Sequence, residues 1–537
     1  MPFAKIANAV RLFLAACRRN AAEEILAERF AAARARRVPA TPSAPLLTVV
    51  APADIVYYAV LGEIVSSLRT RQALRTEQIG TQSLRPGAPQ SFRHFLRARL
   101  DNNFLTRRKW ENLQGLFCDR VGYSTAGWTG PLRALRQWRH AWRLWQGLRD
   151  KDQLVAIAYR EIVIGDLVID TYLRLRPSPV IALNDLYLLA VIRQALKDVD
   201  LAFAYFRSAR PEILFSMYTT YLSHGVPARV ALACGTRVIT FGNLQEFCTP
   251  VSRQHGSHTK ASSRYHQDFQ ALPGQDGLRR QAAAALETRL SGGIDAATAY
   301  MKKSAYAVTT DAVPDVRGAT VIFLHDFYDS LHIYSWSLFH DFWEWTCFTI
   351  EALQAAGHDF WIKPHPNQGA ESSTEVEALR RKYPGVKFLP TAITNRQLAD
   401  AGIARAVTIY GSVAPEMGFL GIPSISTGDS PYASFDAFQL ARCRKDYETL
   451  LARAPGQDVD IEQLQAQACA VYYMHNLNLD ADGTVLRDSF ATLWAHLLTA
   501  QTDGFLDREK TFKVLASMTG TPAFQRFSDT LISANPP

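Results

Sequence analysis

The chain has 537 residues, enough for several domains with hydrophobic cores, since one domain usually takes about 100–200 residues. Hydrophobic residues make up 48% and charged residues 20%, a globular balance that excludes disordered, collagen-like and coiled-coil chains. Lys and Arg outnumber Asp and Glu by 59 to 50, and this net charge of +9 favours an anionic partner such as nucleic acid, a membrane surface or a phosphorylated substrate.

Seven cysteines are spread along the chain, with no C-x-x-C pair and no Cys/His cluster at zinc spacing. This pattern predicts a reducing cytoplasm and no structural metal. Residues 1–17 resemble a lipoprotein leader only superficially, because Arg11 interrupts a short apolar stretch and two arginines follow directly, so we do not expect export. No run reaches the roughly 18–20 uncharged apolar residues of a membrane-spanning helix. We therefore expect a cytoplasmic protein, soluble or peripheral at the inner face of the cytoplasmic membrane.

The first part of the chain has the pattern of an α/β domain. Apolar residues at three- and four-residue steps predict one basic helix over residues 1–37, followed by a proline-rich linker. Leu46–Val50 is an apolar, partly β-branched run typical of a strand, and a helical pattern then extends to about Arg71. Similar strand and helix units are predicted around Ala156–Tyr172 and at Ala228–Gly242.

Residues 91–149 carry an excess of positive charge equal to that of the whole chain. The basic residues are Arg93, Arg97, Arg99, Arg107, Arg108, Lys109, Arg120, Arg133, Arg136, Arg139, Arg143 and Arg149, against Asp101, Glu111 and Asp119. Trp138, Trp142 and Trp145 follow at helical spacing. Two interpretations stay open: a core-packed tryptophan stripe beside solvated arginines, or a cationic, tryptophan-edged surface that binds an anionic membrane. Nucleic acid is not an expected partner, because no nucleic-acid-binding module is recognisable.

The second half of the chain alternates between apolar runs and helical patterns. Strands are predicted at Thr320–Leu324, His358–Lys363, Val386–Leu389, Ala406–Tyr410 and Pro423–Thr427, with helices at Trp336–Ala356, Glu375–Tyr383, Gln397–Ala401 and Pro415–Leu420. Strands separated by helices of this length indicate a parallel, doubly wound sheet.

The fold class predicted is α/β, with two Rossmann-like, doubly wound parallel-sheet domains facing a cleft and helical extensions at both ends. The predicted boundaries are 1–45 for a basic helix and linker, 46–270 for the first domain with its basic helical insert, 271–317 for a helical connector, 318–435 for the second domain, and 436–537 for a helical region.

The segment Lys363-Pro364-His365-Pro366 lies at the carboxyl end of a predicted strand, the edge where open α/β sheets bind ligands. Two prolines stiffen the turn around the imidazole of His365. That imidazole can donate a hydrogen bond to a phosphate oxygen or, when protonated, offset the charge of a departing nucleotide. The plain alternative is a solvated histidine in a turn that ends the strand.

A second segment has the pattern of an anion-binding turn. Gly411, Ser412 and Val413 follow a predicted strand and lead into a helix, whose exposed backbone N–H groups and dipole favour phosphate. Glu416, one turn into that helix, is placed to reach a ribose diol. Gly421-Ile422-Pro423 and Gly428-Asp429-Ser430-Pro431-Tyr432 then repeat the combination of small residues and a strand end. Together these segments predict a nucleotide slot.

The ordered combination K-P-H-P, G-S-x-x-x-E-x-x-x-x-G-I-P and G-x-x-x-Y resembles inverting GT-B transferases of bacterial surface-polysaccharide assembly. These include capsule-type transferases and, more distantly, Kdo and sialic-acid transferases and CDP-glycerol glycerophosphotransferases. Residues 323–345, 164–172 and 221–229 also resemble capsule-biosynthesis proteins of this kind. The resemblance covers about 160–245 and 318–435, and the chain lacks the E/D-D-G acid triplet of the sialyltransferases.

The resemblance implies a nucleotide-activated donor in the second domain, with Lys363, His365 and the Gly411–Ala414 turn at its phosphates and Glu416 at its ribose. It implies an acceptor activated by a carboxylate of the first domain, for which Asp166 is the preferred base and Asp170 the second choice. An N-terminal position in a helix explains Asp166 equally well. Arg229, Asp326, Asp329 and His332 are further substrate-binding candidates. No cofactor or metal is expected, although the His/Asp residues after Phe323 make a metal site conceivable.

The function expected from this resemblance is transfer of a sugar from a nucleotide-activated donor to a saccharide or lipid-linked acceptor of a capsule or lipopolysaccharide. Two alternatives stay open. One is a phosphotransferase that uses a CDP-activated polyol, since the same elements bind phosphate. The other is a catalytically inactive scaffold of the same fold, because an acid motif is missing.

Overall fold

The computed structural model describes residues 18–50, 54–80, 107–125, 130–176, 178–295, 312–366, 368, 370–456, 459–503 and 506–532. The strands in chain order are β1 (Leu46–Val50), β2 (Arg75–Gly80), β3 (Arg120–Ser124), β4 (Ala158–Tyr159), β5 (Ile162–Val163), β6 (Ile213–Ser216), β7 (Arg237–Phe241), β8 (Cys248–Val251), β9 (Thr320–Phe323), β10 (Phe360–Lys363), β11 (Lys387–Phe388), β12 (Arg405–Val407), β13 (Ser424–Ser426) and β14 (Gln439–Leu440).

The α-helices in chain order are α1 (Ala21–Arg34), α2 (Ile55–Arg71), α3 (Arg107–Gln114), α4 (Pro131–Gly147), α5 (Lys151–Val155), α6 (Gly165–Leu175), α7 (Leu186–Ala209), α8 (Val226–Ala233), α9 (Tyr265–Ala271), α10 (Gln275–Leu290), α11 (Phe342–Ala355), α12 (Ala370–Lys382), α13 (Asn395–Asp400), α14 (Val413–Phe419), α15 (Arg444–Ala452), α16 (Ile461–Tyr472), α17 (Ala481–Asp503), α18 (Arg508–Thr519) and α19 (Pro522–Ile532). Shorter turns are a 3-10 helix at Leu331–Ile333 and π-helices at Tyr221–Gly225 and Tyr473–Leu477. Within the described ranges, no helix combines the length and apolarity that crossing a bilayer requires.

The chain divides into two compact units. Unit 1 comprises the described residues up to Arg176, then Ala182–His258 and the residues from Asp480 onward, and unit 2 comprises the described residues of 177–181 and Thr259–Leu479. This division differs from the predicted boundaries, because residues 178–181 and 259–270 of the predicted first domain lie in unit 2. The predicted connector lies within unit 2, and the predicted carboxyl-terminal region is shared between the units.

Each unit is built on one six-stranded sheet. Unit 1 has the order β3-β2-β1-β6-β7-β8, parallel except for β8, and unit 2 has the fully parallel order β11-β10-β9-β12-β13-β14. In both sheets the direction of winding reverses beside the first strand, between β1 and β6 or between β9 and β12, which is the doubly wound arrangement. The predicted α/β fold class with two such sheets is therefore confirmed.

Helix α1 belongs to the core of unit 1. It begins after Asn20, which forms a reciprocal capping box with Glu23, so within its described part the helix predicted over residues 1–37 is present only over Ala21–Arg34. The ring of Phe30 packs edge-on against Tyr58, with 5.3 Å between ring centroids. A Cβ at Gly62 would lie 2.3 Å from the Phe30 ring, so only glycine lets α1 approach α2 this closely. The sequence alone does not decide whether residues 1–37 bind the rest of the protein or a lipid surface. In the structure, α1 packs against the core of unit 1.

The unit predicted around Ala156–Tyr172 also differs from the structure. Strands β4 and β5 pair only with each other, as an antiparallel hairpin outside the six-stranded sheet. Helix α6 follows the hairpin directly. Asp166 and Asp170 therefore lie on this helix and not at the carboxyl end of a sheet strand. The apolar residues Leu167, Val168 and Ile169 between the two carboxylates are buried on α6.

Candidate functional site

The carboxyl ends of β9, β10 and β12 lie beside the point where the strand order of unit 2 reverses, the usual ligand-binding position in doubly wound sheets. The loops that leave these strands bring three rings together. His325 follows β9, His365 follows β10 and Tyr410 follows β12. The His325 ring centroid lies 5.9 Å from that of His365 and 5.1 Å from that of Tyr410. The sheet thus assembles residues that are 85 positions apart in the sequence.

His325 is held by stacking. Its ring lies parallel to that of Phe342, with 4.7 Å between centroids and 3° between planes. Phe342 is the first residue of α11, whose start is fixed by Asp341 accepting a hydrogen bond from the Glu344 N–H at 2.7 Å. The Nδ1 atom of His325 is buried and has no hydrogen-bond partner among the described residues. A buried polar atom in this condition fits a group that completes its bonding with a ligand or a water molecule.

Lys363 and His365 occupy the end of β10 and the turn after it. Burial lowers the pKa of His365 to about 4, and the nearby His325 acts in the same direction, so the imidazole is neutral at pH 7. Burial also lowers the pKa of Lys363 to about 8, and its Nζ donates to the Thr391 carbonyl at 3.3 Å. Both lowered pKa values result from burial, so the end of β10 and the turn after it have little access to water.

The turn between β12 and α14 has the predicted form. The Gly411 N–H donates to Thr408 Oγ1 at 3.2 Å, Ser412 is exposed, and α14 begins at Val413. A Cβ at Gly411 would lie 2.8 Å from Thr408 Oγ1, so the turn requires a residue without a side chain. The helix that follows has only seven residues.

Glu416 has a structural environment that its sequence position did not reveal. Its side chain is buried, one oxygen lies 2.9 Å from an Arg289 guanidinium nitrogen, and the other accepts from Asn395 Nδ2 at 2.7 Å. These contacts join α14 to α10 and α13. A ribose diol would have to replace one of these partners, and the predicted ribose contact stays a prediction.

Asp326 and Asp329, the acidic residues after β9, accept hydrogen bonds from residues of the loop in which they lie. Asp326 Oδ1 accepts from the Tyr328 N–H at 3.0 Å and from the Ser372 hydroxyl at 2.7 Å. Asp329 is exposed and accepts from the Ser330 N–H at 2.9 Å. The His332 ring faces that of His340 at 6.5 Å. Over the described ranges, no group of three or more His, Cys, Asp or Glu side chains is placed to hold a metal ion.

The acceptor-side candidates of unit 1 form an ion pair. Arg229 donates from Nη1 to Asp166 Oδ1 at 2.7 Å and from Nη2 to Asp166 Oδ2, while Asp170 is almost fully buried on the next turn of α6. A carboxylate with both oxygens on a guanidinium is a weak proton acceptor. The structure thus brings three predicted residues together, in an arrangement that joins α6 to α8.

Sequence reasoning missed two histidines beside β6 in unit 1. His224 lies in the π-helix that follows β6, and Nδ1 of His258 accepts from the Thr219 N–H at 3.2 Å. The Tyr218 ring packs edge-on against both imidazoles. Burial lowers the pKa of His224 to about 4 and that of His258 to about 3. No local motif marks these residues, and only a strand prediction at β6 could have directed attention to them.

No protein-family model matches the chain, and no curated protein does. Solved structures with similarity to the chain include the Thermosulfurimonas dismutans KpsC, a beta Kdo 2,4 transferase, at 13% identity and TM-score 0.31 over 48% of this chain and 79% of that one. A Methanocaldococcus jannaschii UDP-GlcNAc 2-epimerase shows 10% identity and TM-score 0.26 over 78% and 97%. A Polygonum tinctorium UDP-glucosyltransferase shows 12% identity and TM-score 0.25 over 84% and 99%. Similarity at these identities and TM-scores does not assign a function to the chain.

Proposed function

We propose that unit 2 binds the phosphates of a nucleotide-activated sugar at the carboxyl ends of β9, β10 and β12, and that the protein is a glycosyltransferase. The observation that carries the proposal is the convergence of His325, His365 and Tyr410 where the strand order reverses, with His325 Nδ1 buried and unpartnered among the described residues. Position and unmet hydrogen bonding both point to a polar ligand.

The chemistry of these groups suits a nucleotide leaving group. A neutral imidazole donates one N–H to a phosphate oxygen, and approach of the anion favours a second proton on the ring. The water-poor surroundings strengthen such bonds, because charges interact more strongly where solvent does not screen them. Charge that develops on the departing phosphate as the glycosidic carbon–oxygen bond breaks would therefore be stabilised by His365.

The finer proposal is an inverting transfer to a growing bacterial surface polysaccharide, either capsule or lipopolysaccharide. The ordered motifs around Lys363, Gly411 and Glu416 support it by their resemblance to transferases of that class. Asp166 stays the preferred candidate for the base that takes the acceptor proton, although it pairs with Arg229, because Asp170 is almost fully buried. The same phosphate-binding groups would serve transfer of a CDP-activated polyol, and the choice of nucleotide distinguishes the two reactions.

The test is a thermal-shift titration with CMP, CDP, UDP, GDP and ADP. A ligand that binds only the folded protein raises its unfolding midpoint, and we expect this from one nucleotide. The shift should disappear in His325→Ala and His365→Ala. The matched control is His358→Ala, because His358 belongs to the same unit but precedes β10, at the opposite end of the strand. CMP alone would favour a Kdo-like or sialic-acid-like donor, and CDP would favour the polyol reaction.

Turnover is then measured as release of the free nucleotide from its sugar conjugate in the presence of a saccharide acceptor. No midpoint shift with any nucleotide, or equal shifts in His358→Ala and both site variants, would contradict the proposal. In that case the protein would be better described as a scaffold.

A further inference from the structure

A cationic cavity lies in unit 1, far along the chain from the residues of the candidate site. It has a volume of about 470 Å³ and lies between α4, the β4–β5 hairpin and α7. Its charged lining is Arg133, Arg136, His140, Arg160, Arg207 and one acid, Asp200. Arg133, Arg136 and Arg207 make no ion pair with any residue in the described part of the chain. Four guanidinium groups around one carboxylate leave the cavity with a strong positive potential.

Asp200 is occupied in building the wall of this cavity. Its carboxylate accepts from Tyr159 Oη, from Gln137 Nε2 and from Arg160 Nη1, each at 3.1 Å. The guanidinium of Arg160 lies 5.2 Å from the centroid of the Phe203 ring. That of Arg207 lies 4.6 Å from the same centroid. Two arginines that line the cavity thus contact one buried aromatic ring, which limits their freedom.

The hairpin holds Arg160 in an unusual backbone conformation. Arg160 and Glu161 have φ angles of 52° and 68°, a region that side chains with a Cβ seldom adopt. Two-residue hairpins of this kind normally use Asn-Gly. An arginine at this position therefore carries conformational strain, which is common where a side chain is held for a ligand.

Helix α4 presents three kinds of surface. Gln137 and Ala141 are buried against the protein, while Arg133, Arg136 and His140 form the flank that lines the cavity. The outward face carries Leu132, Leu135, Trp138 and Trp142, which are exposed by 74%, 56%, 41% and 43%. A helix about 25 Å long with apolar side chains outward and cations at its flank is the pattern of a helix that lies in a membrane interface.

We propose that α4 and the cavity beside it bind the surface of an anionic phospholipid bilayer. Leu132, Leu135 and the two tryptophans enter the headgroup boundary, and lipid phosphate groups occupy the arginine-lined cavity. Charge complementarity selects this occupant, because the cavity is cationic and the leaflet surface anionic. The apolar face favours a membrane over a purely saccharide partner, since exposed leucines gain little from a hydrated glycan, whereas tryptophan favours the bilayer interface. Of the three tryptophans singled out in the sequence, Trp138 and Trp142 are thus exposed at the surface, whereas Nε1 of Trp145 is buried.

The test uses the full chain and flotation with vesicles. Wild-type protein should bind vesicles of three parts phosphatidylcholine to one part phosphatidylglycerol, and bind phosphatidylcholine alone far more weakly. Arg136→Gln with Arg207→Gln should lower the partition coefficient roughly 25-fold, at about fivefold for each cation near the membrane. Leu132→Ser with Leu135→Ser should weaken binding as well. His365→Ala should bind vesicles as the wild type does, which separates this test from that of the proposed function.

The matched control is Arg253→Gln with Lys513→Gln, which removes the same two charges from exposed positions of unit 1 outside the cavity. This variant should keep vesicle binding within about twofold, because a specific surface and not net charge is responsible. Equal losses in the control and the cavity variant would overturn the proposal. A titration with acidic oligogalacturonate tests a second outcome that would contradict the proposal. If the cavity variant no longer binds the oligosaccharide but still binds the vesicles, the cavity is a glycan site.

Discussion

Arg229 binds Asp166 through both oxygens of the carboxylate, and the same guanidinium donates to the Val163 carbonyl at 2.7 Å. One side chain therefore joins α6, α8 and the β4–β5 hairpin. Both partners are shielded from solvent over most of their side chains, with exposed fractions of 17% for Asp166 and 30% for Arg229. Removing one partner would leave the other as a poorly solvated charge.

The ion pair predicts the effect of Asp166→Asn. We expect the free energy of unfolding to fall by about 1–3 kcal/mol, because the guanidinium keeps a hydrogen-bond acceptor but loses its counter-charge. Urea unfolding of Asp166→Asn, Arg229→Met and the double variant gives the coupling energy. If Asp166 is instead the general base, turnover per folded molecule will fall far more than stability, and the acidic limb of the pH profile will change.

Nucleotide affinity should depend on pH through His365. The pKa of this imidazole is about 4 in the free protein, below its ordinary value of 6.5. A bound phosphate favours the protonated ring, so binding takes up a proton and the dissociation constant should fall as pH decreases from 7 towards 5. The limit is about tenfold per pH unit for one proton. Calorimetric titration of wild type and His365→Gln checks this, because the phosphate's own protonation affects both proteins equally.

Buried histidines should make the folded protein sensitive to mild acid. The pKa is about 4 for His224, about 3 for His258 and about 3 for His475, all lowered by burial from 6.5. Below pH 6.5 these histidines become protonated in the unfolded chain but stay neutral in the folded chain. The free energy of unfolding therefore decreases as pH falls towards these pKa values. Each histidine contributes a slope of up to about 1.4 kcal/mol per pH unit.

The measurement is urea unfolding at several pH values between 7.5 and 4.5, with His258→Asn as the informative variant. Asparagine offers an oxygen acceptor to the Thr219 N–H but does not titrate in this range. We expect a smaller decline in stability with acid for this variant than for the wild type. An unchanged slope would mean that His258 is protonated in the folded protein.

Replacing Arg160-Glu161 by Asn-Gly should raise the unfolding midpoint. Both positions have φ angles above 50°, and the new pair adopts that conformation readily. The expected gain is about 1 kcal/mol or more, reduced by loss of the Arg160 bond to Asp200. The same variant should bind anionic vesicles less well. A destabilised variant would show that the Arg160 contacts outweigh the backbone strain.

Glu416→Gln separates a structural role from a ribose contact. Loss of the charge that faces Arg289 should lower the unfolding free energy by about 1–3 kcal/mol, because both side chains are buried. A structural role leaves the dissociation constants of the nucleotide and of pyrophosphate unchanged. A ribose contact weakens nucleotide binding alone, and isothermal titration with both ligands decides between the two roles.

Local patterns predicted much of the fold. Leu46–Val50 is a strand as predicted and α2 ends at Arg71, because a β-branched run and an Asp54-capped helix are local signals. Helix α11 begins at Phe342 and not at Trp336, because the Asp341 cap and a bridge from Ser337 to Gly428 outweigh the helical pattern before them. Strands β2 and β6 have weaker patterns, and their pairing with β1 depends on contacts distant in the chain.

The residues of the candidate site likewise fall into those that local sequence motifs reveal and those that depend on tertiary contacts. His365 and the Gly411 turn could be found because they belong to short motifs beside recognisable strands. The packing of His325 on Phe342 could not, because it depends on where α11 begins. The binding of Glu416 to Arg289 could not be found either, because Arg289 lies 127 positions earlier, in a segment whose sequence pattern predicted a connector. Long-range partners of buried charges follow from tertiary packing, and a single sequence does not encode them as a pattern.

The core of unit 1 includes α17, α18 and α19 as well as α2. Phe490, Leu515 and Phe524 are fully buried in the same cluster as Phe30 and Leu61. On the ribosome these helices emerge only after about 220 residues of unit 2 have been made, which takes roughly 10–45 seconds at the usual elongation rates. For that interval the apolar surface of α2 lacks its cover and is open to chaperones or to aggregation. A nascent chain that stalls anywhere in unit 2 would therefore carry an unfinished first unit, however well its early strands had formed.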